Sequence, residues 1–580
     1  MQHAKITKNI SEFQTFINNN NKTGHCLSET LKFFDTQRIF GRFDFLKQRG
    51  VEVSLILKSL LVMLFYRNNN ISNLFTRQHE SQITIASGKN PYYDIQGNEH
   101  VNWRVILYLF AKRFMTLSAH IADHSDKVRA LIFDDSLLEK SGKKIENVSR
   151  VHDHVSGQFV FGYKILVCGY WDGNSFIPID FSLHRERGNK LDKARKQANK
   201  ARQKVKQSVK AYQEHKQKHH EERIKLNQLK SLSAEGNKTI RINLEQQIRK
   251  VARSKKKQSI LLRNKKKAEL ILTEKEKVVK EKEVSAPLYG LSPSQHRKQY
   301  KKKRAKDSAG FERQTEVDIS KIKSVTQMIS RAVKKRFEFD YVLLDSWFFS
   351  KDILNKIKSF HSKNIQLIAM VKMGSILYLD VLSGENKSAP ELRKQYRKQT
   401  KRSRKHRAKY IKVAVKYNNQ RLNLFFIKIG KGGNWRCLLT TDLKLDFNKL
   451  MEIYHIRWSI EVFYRDAKQH LQLGKCQCNN FDAQIGATTI AMIQYIFLLL
   501  YKQMHYGQTL GSVFDLISTR VQEDNITKYL MELFWVIVDQ IGKILDIDCI
   551  NLFREIIRDH QRANELMKLF SPIFENKAAG

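Results

Sequence analysis

Tyr454, Arg457, Glu461 and Lys468 follow the spacing Y-x2-R-x3-E-x6-K within "YHIRWSIEVFYRDAKQHLQLGK" (454–475). Each helical residue turns by ~100°, so with Tyr454 at zero the other three fall at about −60°, −20° and −40°. All four fit one arc of about 60°, and Arg465 is close by on the same side. Ile456, Ile460, Phe463, Ala467 and Leu471 cluster on the other side, so the spacing predicts an amphipathic helix with one buried face. A salt-bridged surface helix would mix signs at four-residue spacing. Here cations outnumber the single carboxylate. That pattern suits a carboxylate that binds a metal, flanked by cations that hold phosphates.

Phosphodiester chemistry at such a site needs more carboxylates. Two divalent ions ~3.5–4 Å apart can clamp the attacking and leaving oxygens of a phosphodiester, and hard oxygen ligands suit Mg2+. Two apolar runs end in aspartate: "RALIFDD" (129–135) and "FDYVLLD" (339–345). A polar residue that ends an apolar strand is pushed to the sheet rim, where ligands bind. A plain turn aspartate is the alternative for each. Asp134 and Asp135 both end the first run and point to opposite faces, so the residues alone leave the choice open. Asp442, Asp446 and Asp466 read as caps or surface charges. Trp347 and Trp458 read as packing residues beside the site, and "HDH" (His152 to His154) as a structural turn.

The partner of these groups is narrowed by composition. The chain has 580 residues, 41% of them hydrophobic, and a formal net charge of +48. That is room for several domains with real cores, which excludes wholesale disorder. So large an excess of cations points to a polyanion, DNA or RNA before an anionic membrane. Six scattered cysteines are no disulfide framework and point to a reducing, cytoplasmic compartment. Cys476 and Cys478 are a lone C-x-C with no second knuckle for zinc. The most apolar run, "TIAMIQYIFLLLY" (489–501), is shorter than the ~20 residues of a membrane span and reads as a buried core helix.

The elements that must position the site follow in order. Residues 1–126 read as mostly helical. Residues 127–188 hold three short strands, two of them joined at the Asp172-Gly173 turn signal, as in an antiparallel meander. Residues 189–284 are dominated by Lys, Arg, Gln and Glu. Ala194, Ala198, Ala201, Val205, Val209 and Tyr212 form a narrow stripe there, which predicts a charged helical hairpin turning near 231–238. A disordered basic linker is the alternative. Residues 285–364 return to a globular pattern, with a strand ending at Asp345. Strand patterns dominate 365–441, interrupted by the basic "RKQYRKQTKRSRKHRAK". Residues 442–480 carry the motif helix, starting at a cap, Asp446. Residues 481–580 read as helical.

The Tyr-Arg-Glu-Lys spacing resembles the signature of DDE transposases of the insertion sequence 4 family. "FDDSLLEKSGKK", "YVLLDSWFF" and "LLTTDLKLDFNKLMEIYHIRWSIE" are similar to that family too, from about Arg129 to the C-terminus apart from the basic hairpin. The resemblance implies an α/β fold: a ribonuclease-H-like catalytic domain with a β-rich insertion at 365–441, beside the helical N- and C-terminal regions and the basic hairpin. It implies a catalytic, metal-binding triad of Asp135, Asp345 and Glu461, since family members often show Asp followed by Ser or Thr at the first place. Mg2+, or Mn2+ in its stead, would be the cofactor. Tyr454, Arg457 and Lys468 would hold phosphates. Trp435 would stack on a base flipped from the duplex, with a core Trp as the alternative. The partners would be double-stranded DNA, as terminal inverted repeats and target, and a second copy of the chain; no membrane is implied. The N-terminal region would read the end sequence and the C-terminal helices would serve a homodimer. The function implied is cleavage of element ends and joining of 3′ hydroxyls to target DNA. A metal-dependent nuclease without strand joining, or a DNA-binding relative that has lost catalysis, are the rivals.

Overall fold

The computed structural model describes residues 26–76, 88–119, 127–153, 156–186, 189–232, 238–285, 288–360, 363–430, 432–504 and 508–545. His154 lies outside them, as does most of the expected hairpin turn.

Helices form the start of the chain: α1 (Cys26–Phe33), α2 (Thr36–Gly41), α3 (Val53–Val62), α4 (Ile71–Thr76), α5 (Asn90–Gln96) and α6 (Trp103–Ser118). The Asn102 side chain caps α6 by accepting from Val105 N. Four strands follow: β1 (Ala130–Glu139), β2 (Ser149–His152), β3 (Phe159–Trp171) and β4 (Phe176–His184). β3 pairs antiparallel with β1, β2 and β4. The turn between β3 and β4 is built by Asp172, whose Oδ1 accepts from Asn174 N and Ser175 N at 2.8 and 2.6 Å. The short edge strand β2 has no forecast in the sequence; it lies on one end of β3.

The basic segment is a pair of long helices, α7 (Asn189–Leu232) and α8 (Lys238–Ser285), packed antiparallel as an arm. At 44 and 48 residues they run about 66 and 72 Å. Leu191, Ala194, Ala198 and Ala201 are buried, so the narrow stripe works as expected near the base. Arg195 and Arg202 reach across to Glu283 and Glu276 at 2.9 and 2.8 Å.

After the arm come α9 (Pro293–Arg297), α10 (Ala309–Glu316), α11 (Lys321–Lys334), β5 (Tyr341–Leu344), α12 (Lys351–Lys358) and β6 (Gln366–Val371). β5 is parallel to both β1 and β6. The chain then builds β7 (Leu377–Asp380), β8 (Asn386–Ser388), α13 (Ala389–Gln395), β9 (Lys401–Ser403), β10 (Ala408–Tyr417), β11 (Gln420–Ile429) and β12 (Arg436–Thr440). β12 returns antiparallel onto β6, so this strand-rich part continues the main sheet. The order is β2-β3-β1-β5-β6-β12-β11-β10-β7-β8, with β4 on β3 and β9 on β10.

The chain goes on through α14 (Phe447–His455), α15 (Ser459–His470), α16 (Phe481–Met504) and α17 (Leu510–Leu545). Asp446 caps α14, its Oδ1 accepting from Lys449 N at 2.8 Å, as expected. Between α14 and α15 the motif is not one helix. Ile456–Trp458 tighten into a 3-10 turn, so the ~100° step holds only on either side of it. α16 is long and apolar enough to cross a membrane, but its most apolar 18-residue window is 94% buried inside the protein. Phe34 and Phe110 pack on its Phe497, and Gln494 donates to Leu61 O at 2.8 Å. The N-terminal helices therefore share the core of the sheet domain.

Two buried charge networks lock these parts together. Asp180 of β4 meets Arg104 of α6 at 3.1 Å, Arg331 of α11 at 2.7 Å and the Tyr108 hydroxyl at 2.9 Å. Arg304 joins Glu146 at 2.7 Å to Asp482 at 3.0 Å. Buried ions of this kind are costly unless every one is paired.

Candidate active site

The first aspartate is positioned by register. Phe133 of β1 lies opposite Leu344 of β5 in a parallel pair, so the next residues up, Asp134 and Asp345, stand side by side at the C-terminal rim of β5. The two carboxylates repel, and Asp345 is among the charges that raise the Asp134 carboxyl. Burial is the larger cause. Together they push Asp134 up to about 7, against the pull of Arg457 and of the hydrogen bond from Asp135 N.

Arg457 joins this pair to Glu461. From the 3-10 turn it sends Nη1 to Asp134 Oδ2 at 3.4 Å and Nη2 to Glu461 Oε1 at 2.5 Å. One guanidinium thus lies between the strand carboxylate and the helix carboxylate. The Tyr454 hydroxyl points at Leu344 O at 3.4 Å, and burial raises its pKa. Lys468, two turns along α15, donates to Ser136 Oγ at 2.7 Å. Four residues of the spacing motif therefore line one rim of the sheet, though the helix carrying them is broken.

Asp135, the first aspartate the resemblance favours, goes elsewhere. Its Oδ2 holds Lys321 Nζ at 2.8 Å. Through the strand pairings, Asp135 shares a face with Ser182 and, by alternation, His184, both buried and hydrogen-bonded to each other at 2.7 Å. α11 covers that face, and α15 covers the face of Asp134. The carboxylate beside Asp345 and Arg457 is thus that of Asp134 in place of the expected one, because successive strand residues point to opposite faces.

Other expected residues sort as follows. Trp435 immediately precedes β12, whose Cys437 lies opposite Val371 at the top of β6, so it stands at the same rim as Asp345. It is half-buried under the Arg393 guanidinium, 5.5 Å from its ring centre. Trp347 and Trp458, expected to pack, are 50% and 56% exposed. Lys321 stands 4.9 Å over the Trp347 ring. Two residues were missed. Tyr464 is nearly buried, and its hydroxyl donates to Asp134 O at 2.9 Å, which ties α15 to β1. It lies in the opening stretch, one turn after Glu461, and an aromatic there reads only as core. Lys321 carries no sequence signal.

Among the described residues, no three Asp, Glu, His or Cys side chains converge closely enough to hold a metal ion. The donor chemistry fits a divalent cation all the same. Asp134, Asp345 and Glu461 offer only hard oxygens, and the burial that raises the Asp134 carboxyl is a cost that a bound cation would offset. Arg457 fills the gap between two of the three.

Residues 315–497 match the family model for the transposase DDE domain. No curated protein matches the chain. The matched stretch holds Asp345, Tyr454, Arg457, Glu461 and Lys468; β1 with Asp134 and Asp135 lies outside it. Over this third of its length the chain is similar to the transposase DDE domain, which supports a nucleic-acid-processing enzyme of transposase type.

Proposed function

We propose that the protein is a DNA transposase of the insertion sequence 4 family. It binds the terminal inverted repeats of its element, cuts the ends and joins the freed 3′ hydroxyls to target DNA. The observation that carries this reading is the pair Asp134 and Asp345, adjacent on parallel strands and linked through Arg457 to Glu461. The β4-β3-β1-β5-β6 order, an antiparallel meander continued by two parallel strands, supports the ribonuclease-H-like reading.

Asp134, Asp345 and Glu461 are the proposed ligands of Mg2+ or Mn2+, which when bound would stabilise charge on the attacking and leaving oxygens. Asp135 keeps Lys321 in place behind the strand. Arg457 is proposed to leave the carboxylates for a DNA phosphate, which its planar fork grips through two bonds. Lys468 and Tyr454 add phosphate contacts along the same rim. Trp435 is proposed to stack on an unpaired base that takes the place of Arg393 over its ring. The arm and the 393–409 basic stretch contact phosphates without reading sequence. The helical N-terminal region reads the ends, and a second copy of the chain completes the complex on DNA in the cytoplasm.

The test uses duplex oligonucleotides bearing one element end, with a supercoiled target. Wild type is expected to yield Mg2+-dependent end cuts and covalent joints to target. Glu461→Gln is expected to bind the end and cut nothing. Cuts without joints would favour a nuclease, and cutting by Glu461→Gln would remove this helix from the active site.

A further inference from the structure

A second site lies behind α15, in the loop that leads to α16. Lys140, one residue past β1, is 3% exposed. Its ammonium donates to Gly474 O at 2.6 Å and to Cys476 O at 2.8 Å, and no carboxylate pairs with it among the described residues. A buried ammonium without a counter-charge is costly. The groups beside it that can become anions are the thiols of Cys476 and Cys478, two residues apart in one loop, with the Cys476 thiol turned to Ala483 O at 3.9 Å. Gln484 fixes the loop by donating to the carbonyls of both cysteines at 3.1 and 2.7 Å.

The two cysteines are also reachable. They are partly exposed, whereas Cys168 and Cys437 are fully buried. They line a cavity of about 620 Å³ with Met63, Tyr93, Leu471 and Ile490. The neighbouring Cys478 thiol, opposed by burial and helped by the Lys140 charge, lowers the Cys476 thiol from its ordinary range.

We propose that Cys476 and Cys478 form a reactive dithiol, its thiolate held by Lys140, which a small hydroperoxide entering the cavity converts to a disulfide. The Cys476 thiolate attacks one peroxide oxygen. The S–O bond forms, the O–O bond breaks, and the leaving oxygen takes a proton and departs as water, or as an alcohol from an alkyl hydroperoxide. Cys478 then attacks the sulfur of this sulfenic acid. The S–S bond forms, the S–O bond breaks, and the thiol proton leaves with the hydroxide as water. Two thiols lose two electrons in all, and the peroxide takes them. The proposal is independent of the transposase reading.

Treatment of the full-length protein with one equivalent of hydrogen peroxide, followed by peptide mapping without reductant, tests it. The peptide holding Cys476 and Cys478 is expected to lose the mass of two hydrogens while Cys168 and Cys437 stay unchanged. Cys478→Ser is expected to stop at a sulfenic acid that dimedone traps at Cys476. Cys476→Ser is expected to give neither product. Lys140→Gln is expected to slow alkylation of Cys476 by iodoacetamide at neutral pH by about tenfold. Because Lys140 is buried, the two cysteine variants decide the matter should that variant not fold. Alkylation of Cys476 no faster than that of free cysteine, or no disulfide at one equivalent, overturns the proposal.

Discussion

Arg104, Arg304 and Arg313 in the body and Lys255, Lys256 and Lys257 in the arm carry the same charge in opposite surroundings. The body arginines have side chains at most 7% exposed, and all face carboxylates across elements distant in sequence. The three arm lysines are exposed, in a segment (189–285) with 30 Lys and Arg against 11 Asp and Glu. Cross-helix pairs such as Arg195–Glu283 and Arg202–Glu276 lie near the base. Buried cations hold the sheet to the helices around it. Exposed ones are left for an outside anion. The motif cations stand between these cases: Arg457 is spoken for by Asp134 and Glu461, yet at the rim where DNA would arrive.

The largest effect is expected where the cation meets the chemistry. Glu461→Gln should lower end cutting by at least about a thousandfold, in the range seen when an essential charge-stabilising group is lost, while end binding in a mobility-shift assay holds. A retained cutting rate would separate Arg457 and Glu461 from catalysis.

Next comes the buried network. Asp180→Ala leaves Arg104, Arg313 and Arg331 to share the one buried carboxylate of Glu316, so denaturant unfolding at neutral pH should show a loss of about 3–5 kcal/mol. Burial alone would raise the Asp180 carboxyl, but Arg104, Arg331 and Arg313 hold it well below the ordinary range. A carboxyl with a depressed folded pKa stabilises above its unfolded value of about 4 and loses that contribution as pH falls below it. The gap between wild type and Asp180→Asn should therefore narrow from pH 5 to pH 2. A gap that stays constant would mean that Asp180 is not held ionised by these arginines.

Smaller still is the arm. Changing Lys255, Lys256 and Lys257 together to Gln should leave stability within about 0.5 kcal/mol. The salt dependence of DNA binding should flatten by up to about three units. A large stability loss would place these lysines with the body cations. The smallest effect is expected for Lys468→Ala, which should reduce the salt slope by about one unit and loosen the Ser136 contact.

How much of this could be read from the residues depends on what fixes each feature. The Tyr454-to-Lys468 spacing was legible because side-chain type and position carry it, and the assembled rim keeps all four residues together. The break at Ile456–Trp458 was not, since no Gly or Pro marks it. The apolar runs that lead to Asp134 and Asp345 were legible as strands, but β1 runs on to Glu139 instead of ending at the aspartates, because β3 goes on pairing with it. Which of Asp134 and Asp135 faces Glu461 was not, because a strand's faces are assigned only by its neighbours: β5 on one side, α11 and α15 above and below. The arm was legible in its alanine stripe. β6 and β12 were read as strands, but their pairing with the main sheet rests on contacts far apart in sequence.

Asp134, and not its neighbour, is proposed to complete the site with Asp345 and Glu461. Asp134→Asn and Asp135→Asn, assayed side by side for Mg2+-dependent cutting of one element end, test it most directly. Asp134→Asn is expected to cut nothing, while Asp135→Asn still cuts and loses only the stability of its Lys321 contact. Cutting by Asp134→Asn together with its loss in a folded Asp135→Asn would contradict it.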